Sequence, residues 1–224
     1  MRSPYELPFG AGATTAVRSG LLSKVAGLLA FSMAFTAAGA WLGTQLPGLG
    51  LPAIIGVLIL SLVLSFARNV PGLNLILLYL LTTLMGIALG GIIEEYLVAG
   101  AGVIVVEAGA TTAVLSVGLS VYAWTTKRDF SDLGSKLFIA VLGLIAVSIV
   151  SIFVQATFLE IIIGLAGSII FSLYLVYQIQ QVKNAEDTLG NAIILSVGIY
   201  LSIINIFLSL LRLFTAVQGG GRRS

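Results

Sequence analysis

The stretch LFIAVLGLIAVSIVSIFVQATFLEIIIGLAGSIIFSLYLVYQ, residues 137–178, runs for 42 residues with one charged side chain, Glu160. As a single helix it would reach about 63 Å, twice the ~30 Å hydrocarbon core of a bilayer. It must therefore turn, and Gln155-Ala156-Thr157 with Glu160 is the only polar punctuation available. What remains on each side is an apolar segment of about 20 residues, the length of a membrane-spanning helix. The segments are continuous rather than alternating, which excludes the strands of an outer-membrane barrel.

Five further stretches read the same way, so the predicted spans are 22–42, 51–67, 73–92, 97–124, 136–154, 158–179 and 190–214. Breaks fall at Gly43 to Gly50 with Pro47, Arg68-Asn69-Val70-Pro71-Gly72, Glu94-Glu95-Tyr96, Thr125 to Lys136 and Gln180 to Gly190. Composition agrees. Of 224 residues 58% are hydrophobic and 9% charged, with a mean hydropathy of +1.12, whereas a soluble domain carries roughly 25% charged residues. The expected protein is an all-α integral membrane protein of seven transmembrane helices. It divides into a cytoplasmic tail (1–21), a seven-helix domain (22–216) and a short polar tail (217–224).

Orientation follows from the basic residues. The tail holds Arg2, Arg18 and Lys24, and the even-numbered loops hold Arg68, Lys127, Arg128, Lys136 and Lys183. The odd-numbered loops hold no Lys or Arg and carry Glu94, Glu95 and Glu160 instead. The N-terminus is expected in the cytoplasm, in a cell membrane. Seven spans then put Arg222 and Arg223 outside, against the trend. Ala38-Gly39-Ala40 imitates a signal-peptide cleavage site, but the long leader and the apolar run to Leu42 favour a retained span.

Several functions are excluded. The chain has no Cys and no His, hence no disulfide framework, no imidazole ligand or base and no histidine pH switch. The three aspartates, Asp129, Asp132 and Asp187, all fall in predicted loops, which denies the chain an intramembrane aspartyl protease site. A net charge of +2 is too small to indicate nucleic acid. No enzyme, cofactor or resident metal is expected, and the bilayer is the first partner.

Ionisable groups within spans are costly and default to functional hypotheses. Glu107 falls about ten residues into the fourth predicted span, about 15 Å deep. It is either a neutral carboxyl tying two helices together or a group facing water or a cation. Arg212, near the end of the last span, either snorkels to the interface or belongs to a buried stripe. Ser202, Asn205, Ser209 and Arg212 are spaced 3, 4 and 3, which aligns them on one helical face. Gly167, Phe171, Tyr174, Gln178 and Gln181 form a weaker counterpart. Gly39/Gly43, Gly86/Gly90 and Gly164/Ser168 are small-xxx-small pairs suited to close helix packing.

Three segments carry a resemblance. Glu107-Ala108 with the helix to Tyr122-Ala123-Trp124-Thr125-Thr126-Lys127-Arg128-Asp129-Phe130-Ser131 is similar to the central signature of the Bax-inhibitor (transmembrane Bax inhibitor motif) family. So are Phe171-Ser172-Leu173-Tyr174-Leu175-Val176-Tyr177, and Tyr200-Leu201 through Asn205-Ile206-Phe207 to Leu210-Leu211-Arg212-Leu213-Phe214. The match covers about residues 100–215. It implies a seven-helix fold with the last helix central. It also implies a passive calcium leak gated by two aspartates on the sixth and seventh helices. Eukaryotic members of the family are linked to suppression of cell death, and some bacterial ones to regulation of a membrane protease.

This sequence departs from the family at the gate. Gln178 and Ser202 stand where the resemblance places the two aspartates, and neither can titrate or offer the anionic oxygens a calcium site uses. Arg68 resembles an arginine that the family sets near that pair. The expected ion pathway is Glu107, Gln178, Ser202 and Asn205, with Arg68 and Arg212 as gating or structural charges, in a cation (calcium) leak lacking the di-aspartyl sensor. The alternative is a non-conducting regulator of another membrane complex, such as a protease.

Overall fold

The computed structural model describes residues 11–46, 48–67, 70, 72–154 and 156–220. Arg2, Pro47, Arg68, Asn69, Pro71, Gln155, Arg222 and Arg223, all used above, lie outside the described residues. Among the described residues there are seven helices and no strand: α1 Ala11–Gln45, α2 Gly50–Phe66, α3 Leu73–Val98, α4 Gly102–Thr125, α5 Leu133–Val154, α6 Thr157–Asn184 and α7 Leu189–Gly220. Six are long and apolar enough to cross a membrane; α2, with 17 residues, is shorter. The run 137–178 does divide, α5 ending at Val154 and α6 beginning at Thr157.

One boundary moves the candidate site. The acidic Glu94-Glu95-Tyr96 does not end a helix; α3 continues to Val98, and the chain turns at Gly100, whose φ of +69° is left-handed. Carboxylates at the end of a span reach water without interrupting the helix. The terminator is the residue that can adopt a positive φ without a Cβ penalty. The fourth helix accordingly begins at Gly102 rather than at 97.

Helix α7 is the most enclosed. Ile199 and Tyr200 are both buried although they are adjacent, as are Leu210 and Leu211, so the helix is covered on more than one face. It packs against α1, α3, α4 and α6, its Tyr200 and Ile204 share an apolar cluster with Val57 of α2, and Arg212 reaches Ser148 of α5. Lipid chains are as apolar as the helices, so association relies on close van der Waals packing. The glycines supply it inside the molecule. A Cβ on Gly39 or Gly43 of α1 would run into the α3 backbone at Thr83 and Ile87, and one on Gly86 or Gly90 of α3 into the α1 carbonyls of Thr36 and Ala40. Matching advance along both helices makes α1 and α3 parallel, so α2 returns between them. A hydrogen-bonded group seals this seam, the Tyr200 hydroxyl lying 2.7 Å from Thr36 Oγ1, which donates to Ser32 O and Thr82 O.

Polar contacts define the two ends of the bundle. At one, Lys24 Nζ pairs with Asp187 at 2.8 Å. Lys183 Nζ donates to Trp124 O at 2.7 Å. Gln180 Nε2 donates to Arg128 O, and its Oε1 accepts from Phe130 N. The segment of α1 around Lys24 and the α4–α5 and α6–α7 connections therefore meet there. In the α4–α5 connection Ser131 N and Oγ both donate to Asp129, holding its carboxyl below the usual range. At the other end Tyr96 OH lies 2.8 Å from Thr215 Oγ1 and Gln218 Nε2 donates to Glu107 at 2.7 Å. The end of α3 and the start of α4 thus meet the end of α7.

Candidate functional site

A cleft of about 1080 Å³ opens at that second end, bounded by α3, α5, α6 and α7. Its α7 wall carries the stripe read from the sequence: Asn205, Ser209 and Arg212 all line it. Arg212 Nε meets Glu160 Oε2 at 3.0 Å, with the two side chains 37% and 31% exposed, and Arg212 Nη1 lies 3.4 Å from Ser148 Oγ. The ion pair joins the first turn of α6 to the late part of α7, and Glu160 also complements the dipole at the start of its helix. The arginine thus has a protein partner at the mouth of the cleft.

Deeper along α7, Asn205 Nδ2 donates to Leu201 O at 2.7 Å. One turn further, Ser202 Oγ donates to Gln178 Oε1 at 2.9 Å, and both residues are buried, at 2% and 9% exposure. Gly198 permits this pairing: a Cβ there would lie 2.6 Å from Gln178 Nε2. Gly164 and Gly167 of α6 likewise lie against Leu213 and Ser209, holding α6 and α7 close along the cleft. The structure therefore brings Gln178, Ser202, Asn205 and Arg212 into one column.

Glu107 is not in it. It sits in the second turn of α4, about 8 Å from the helix start at 1.5 Å per residue, and is exposed, accepting from Gln218. The midplane position expected of it followed from the misplaced start of the fourth span. Arg68 lies outside the described residues. The sequence reading misses Glu160 as a site residue, since it reads as loop punctuation, and it misses Gln180, which holds the α4–α5 connection. An acid in the first turn of one span and a base near the end of the next, antiparallel one is the signal that could have paired Glu160 with Arg212. Among the described residues no group of three His, Cys, Asp or Glu could hold a metal ion.

A family model described as inhibitor of apoptosis-promoting Bax1 matches residues 18–219. The chain belongs to the Bax inhibitor family. Relatives include a Pseudomonas aeruginosa protein, PA2604, 34% identical over 208 residues and covering 90% of this chain and 91% of its own. The Escherichia coli inner membrane protein YbhL is 32% identical over 173 residues, 72% of each chain. A Helicobacter pylori protein is 36% identical over 152 residues, 67% of this chain, and the chain spans 64% of that relative's length. A Vibrio cholerae relative, 32% identical over 62% of this chain, is called a membrane protein. With six apolar helices of spanning length, this Bax inhibitor family member is an integral membrane protein. The family is not a known enzyme family.

Proposed function

We propose that this Bax inhibitor family protein is a passive cation pathway, with calcium as cargo. The cleft is its outer vestibule and the Ser202–Gln178 hydrogen bond its closed constriction. The observation that carries the reading is the depth of the cleft: its lining descends to Asn205, one helical turn from that bond. Glu160 is the carboxylate that meets an ion at the mouth, and Arg212, paired with it, sets how much negative charge the mouth shows. Glu107 marks the rim of the same end. All seven helices cross the membrane in this reading. The 17 residues of α2 span about 25 Å, near the lower limit for a crossing, and the parallel course of α1 and α3 supports a full return by α2. The end bearing Lys24, Arg128 and Lys183 faces the cytoplasm.

The test is calcium flux into liposomes for wild type and Gln178→Ala. Shortening the constriction side chain is expected to raise flux several-fold, while wild type conducts slowly. Absence of flux from both proteins overturns conduction. The second reading, a non-conducting regulator of another membrane complex, is favoured by the uncharged, hydrogen-bonded seal. It predicts a stoichiometric protein partner that co-purifies while no calcium passes.

A further inference from the structure

The same cleft has a second wall of different chemistry. Helix α5 is the least buried of the spanning helices and packs chiefly against α6, sharing no extended contact with α3. The cleft is therefore open sideways between α3 and α5. On the α5 side it is lined by Leu144, Ile145, Ile149 and Ile152, and the last three are half or more exposed, continuous with the apolar outer face of that helix. On the α7 side two polar side chains have protein partners, Asn205 on Leu201 O and Arg212 on Glu160 and Ser148.

Its length matches one component of a bilayer. From Glu160 to Phe171, both lining residues of α6, is about 17 Å at 1.5 Å per residue, half of a ~30 Å hydrocarbon core and thus about one leaflet. The charges sit at the interface end, Glu160 being in the first turn of α6. A peptide helix would leave the ion pair without a role. An anionic headgroup would be repelled by Glu160, and a purely cationic one by Arg212.

We propose that the cleft seats one bilayer phospholipid with a zwitterionic headgroup, its phosphate on Arg212, its ammonium on Glu160, and one acyl chain along Ile145 and Ile149. The headgroup and the ion pair carry complementary opposite charges, so each charge of the pair keeps a partner when the lipid binds. The seat stands independently of conduction, because the measurement below reads lipid retention and a protein that passes no ion binds the same lipid.

The experiment is native mass spectrometry of the whole protein in mild detergent, titrated with phosphatidylethanolamine or phosphatidylglycerol of matched chains. The expected result is one retained phosphatidylethanolamine per protein, preferred over phosphatidylglycerol by several-fold. Glu160→Gln should abolish that preference while keeping a lipid. Ile149→Trp, at an exposed position that tolerates bulk, should reduce retention of both lipids. Equal or better binding of phosphatidylglycerol by wild type overturns the zwitterion assignment. Unchanged retention in Ile149→Trp places the lipid elsewhere and overturns the seat, as does a co-purifying polypeptide in place of lipid.

Discussion

Glu160 and Arg212 meet at 3.0 Å across the mouth of a cleft, although one opens its helix and the other lies near the end of the next. Each is about one-third exposed, so the pair is neither a surface ion pair nor a sealed one. Replacing Arg212 by Leu leaves a carboxylate facing apolar side chains. The expected cost is about 1–2 kcal/mol, between the exposed and buried cases, and about 3–6 °C in detergent melting for a chain of this size. The double variant Glu160→Gln with Arg212→Gln should recover about half of that. An Arg212→Leu protein as stable as wild type would show that the pair contributes nothing.

The glycine seam between α1 and α3 should be intolerant in a position-specific way. Gly86→Ala drives a methyl into the Thr36 carbonyl, whereas Gly27→Ala in α1 meets nothing within 4 Å. Overpacking costs about 1–3 kcal/mol, while Ala in an open helical site gains up to about 1 kcal/mol over Gly. Thermal unfolding of the two variants should therefore move in opposite directions. Equal shifts would mean that the seam is looser than its geometry.

Gln178 and Ser202 should make conduction insensitive to pH. Neither titrates, and the chain has no His, so calcium flux in liposomes should vary little between about pH 6 and 8, the range a histidine or a perturbed carboxylate pair covers. Gln178→Asp with Ser202→Asp places two carboxyl groups where 2.9 Å now separates amide and hydroxyl oxygens. Two acids that close share a proton, so the double variant should acquire a pH response that neither single change produces. A steep response in wild type would refute the uncharged seal.

Membrane sidedness can be read directly because the native chain has no Cys. Asp132 lies in the connection held by Gln180, and Val98 is 84% exposed at the opposite end. In intact cells an impermeant thiol reagent should label Val98→Cys and spare Asp132→Cys. The reverse pattern would invert the orientation.

Much of this architecture was legible because a bilayer restricts the choices. Length and hydropathy located each helix, and the 3, 4, 3 spacing of Ser202, Asn205, Ser209 and Arg212 located the face of α7 that lines the cleft. The position of Glu107 was not legible, since two adjacent acids at a helix end look like a break while Gly100, one small residue among many, makes the turn. The partner of Arg212 was hidden for a related reason. Hydropathy draws loops around charges, so Glu160 was assigned to a connection although it belongs to the helix that follows. Pairing across the bundle depends on which ends meet, which the order of segments states only once their directions are known.

The enclosure of α7 bears on how the protein is made. This helix follows the other six in the chain, so they leave the ribosome before the element they surround exists. Until residues 189–220 arrive, Leu78, Leu81 and Thr82, buried in the finished molecule, can have only part of their neighbours. The early helices can already join in part, α1 and α3 along their glycine seam, but their packing is completed only by the last arrival. A chain interrupted before Leu189 would leave those side chains uncovered and therefore more open to proteolysis.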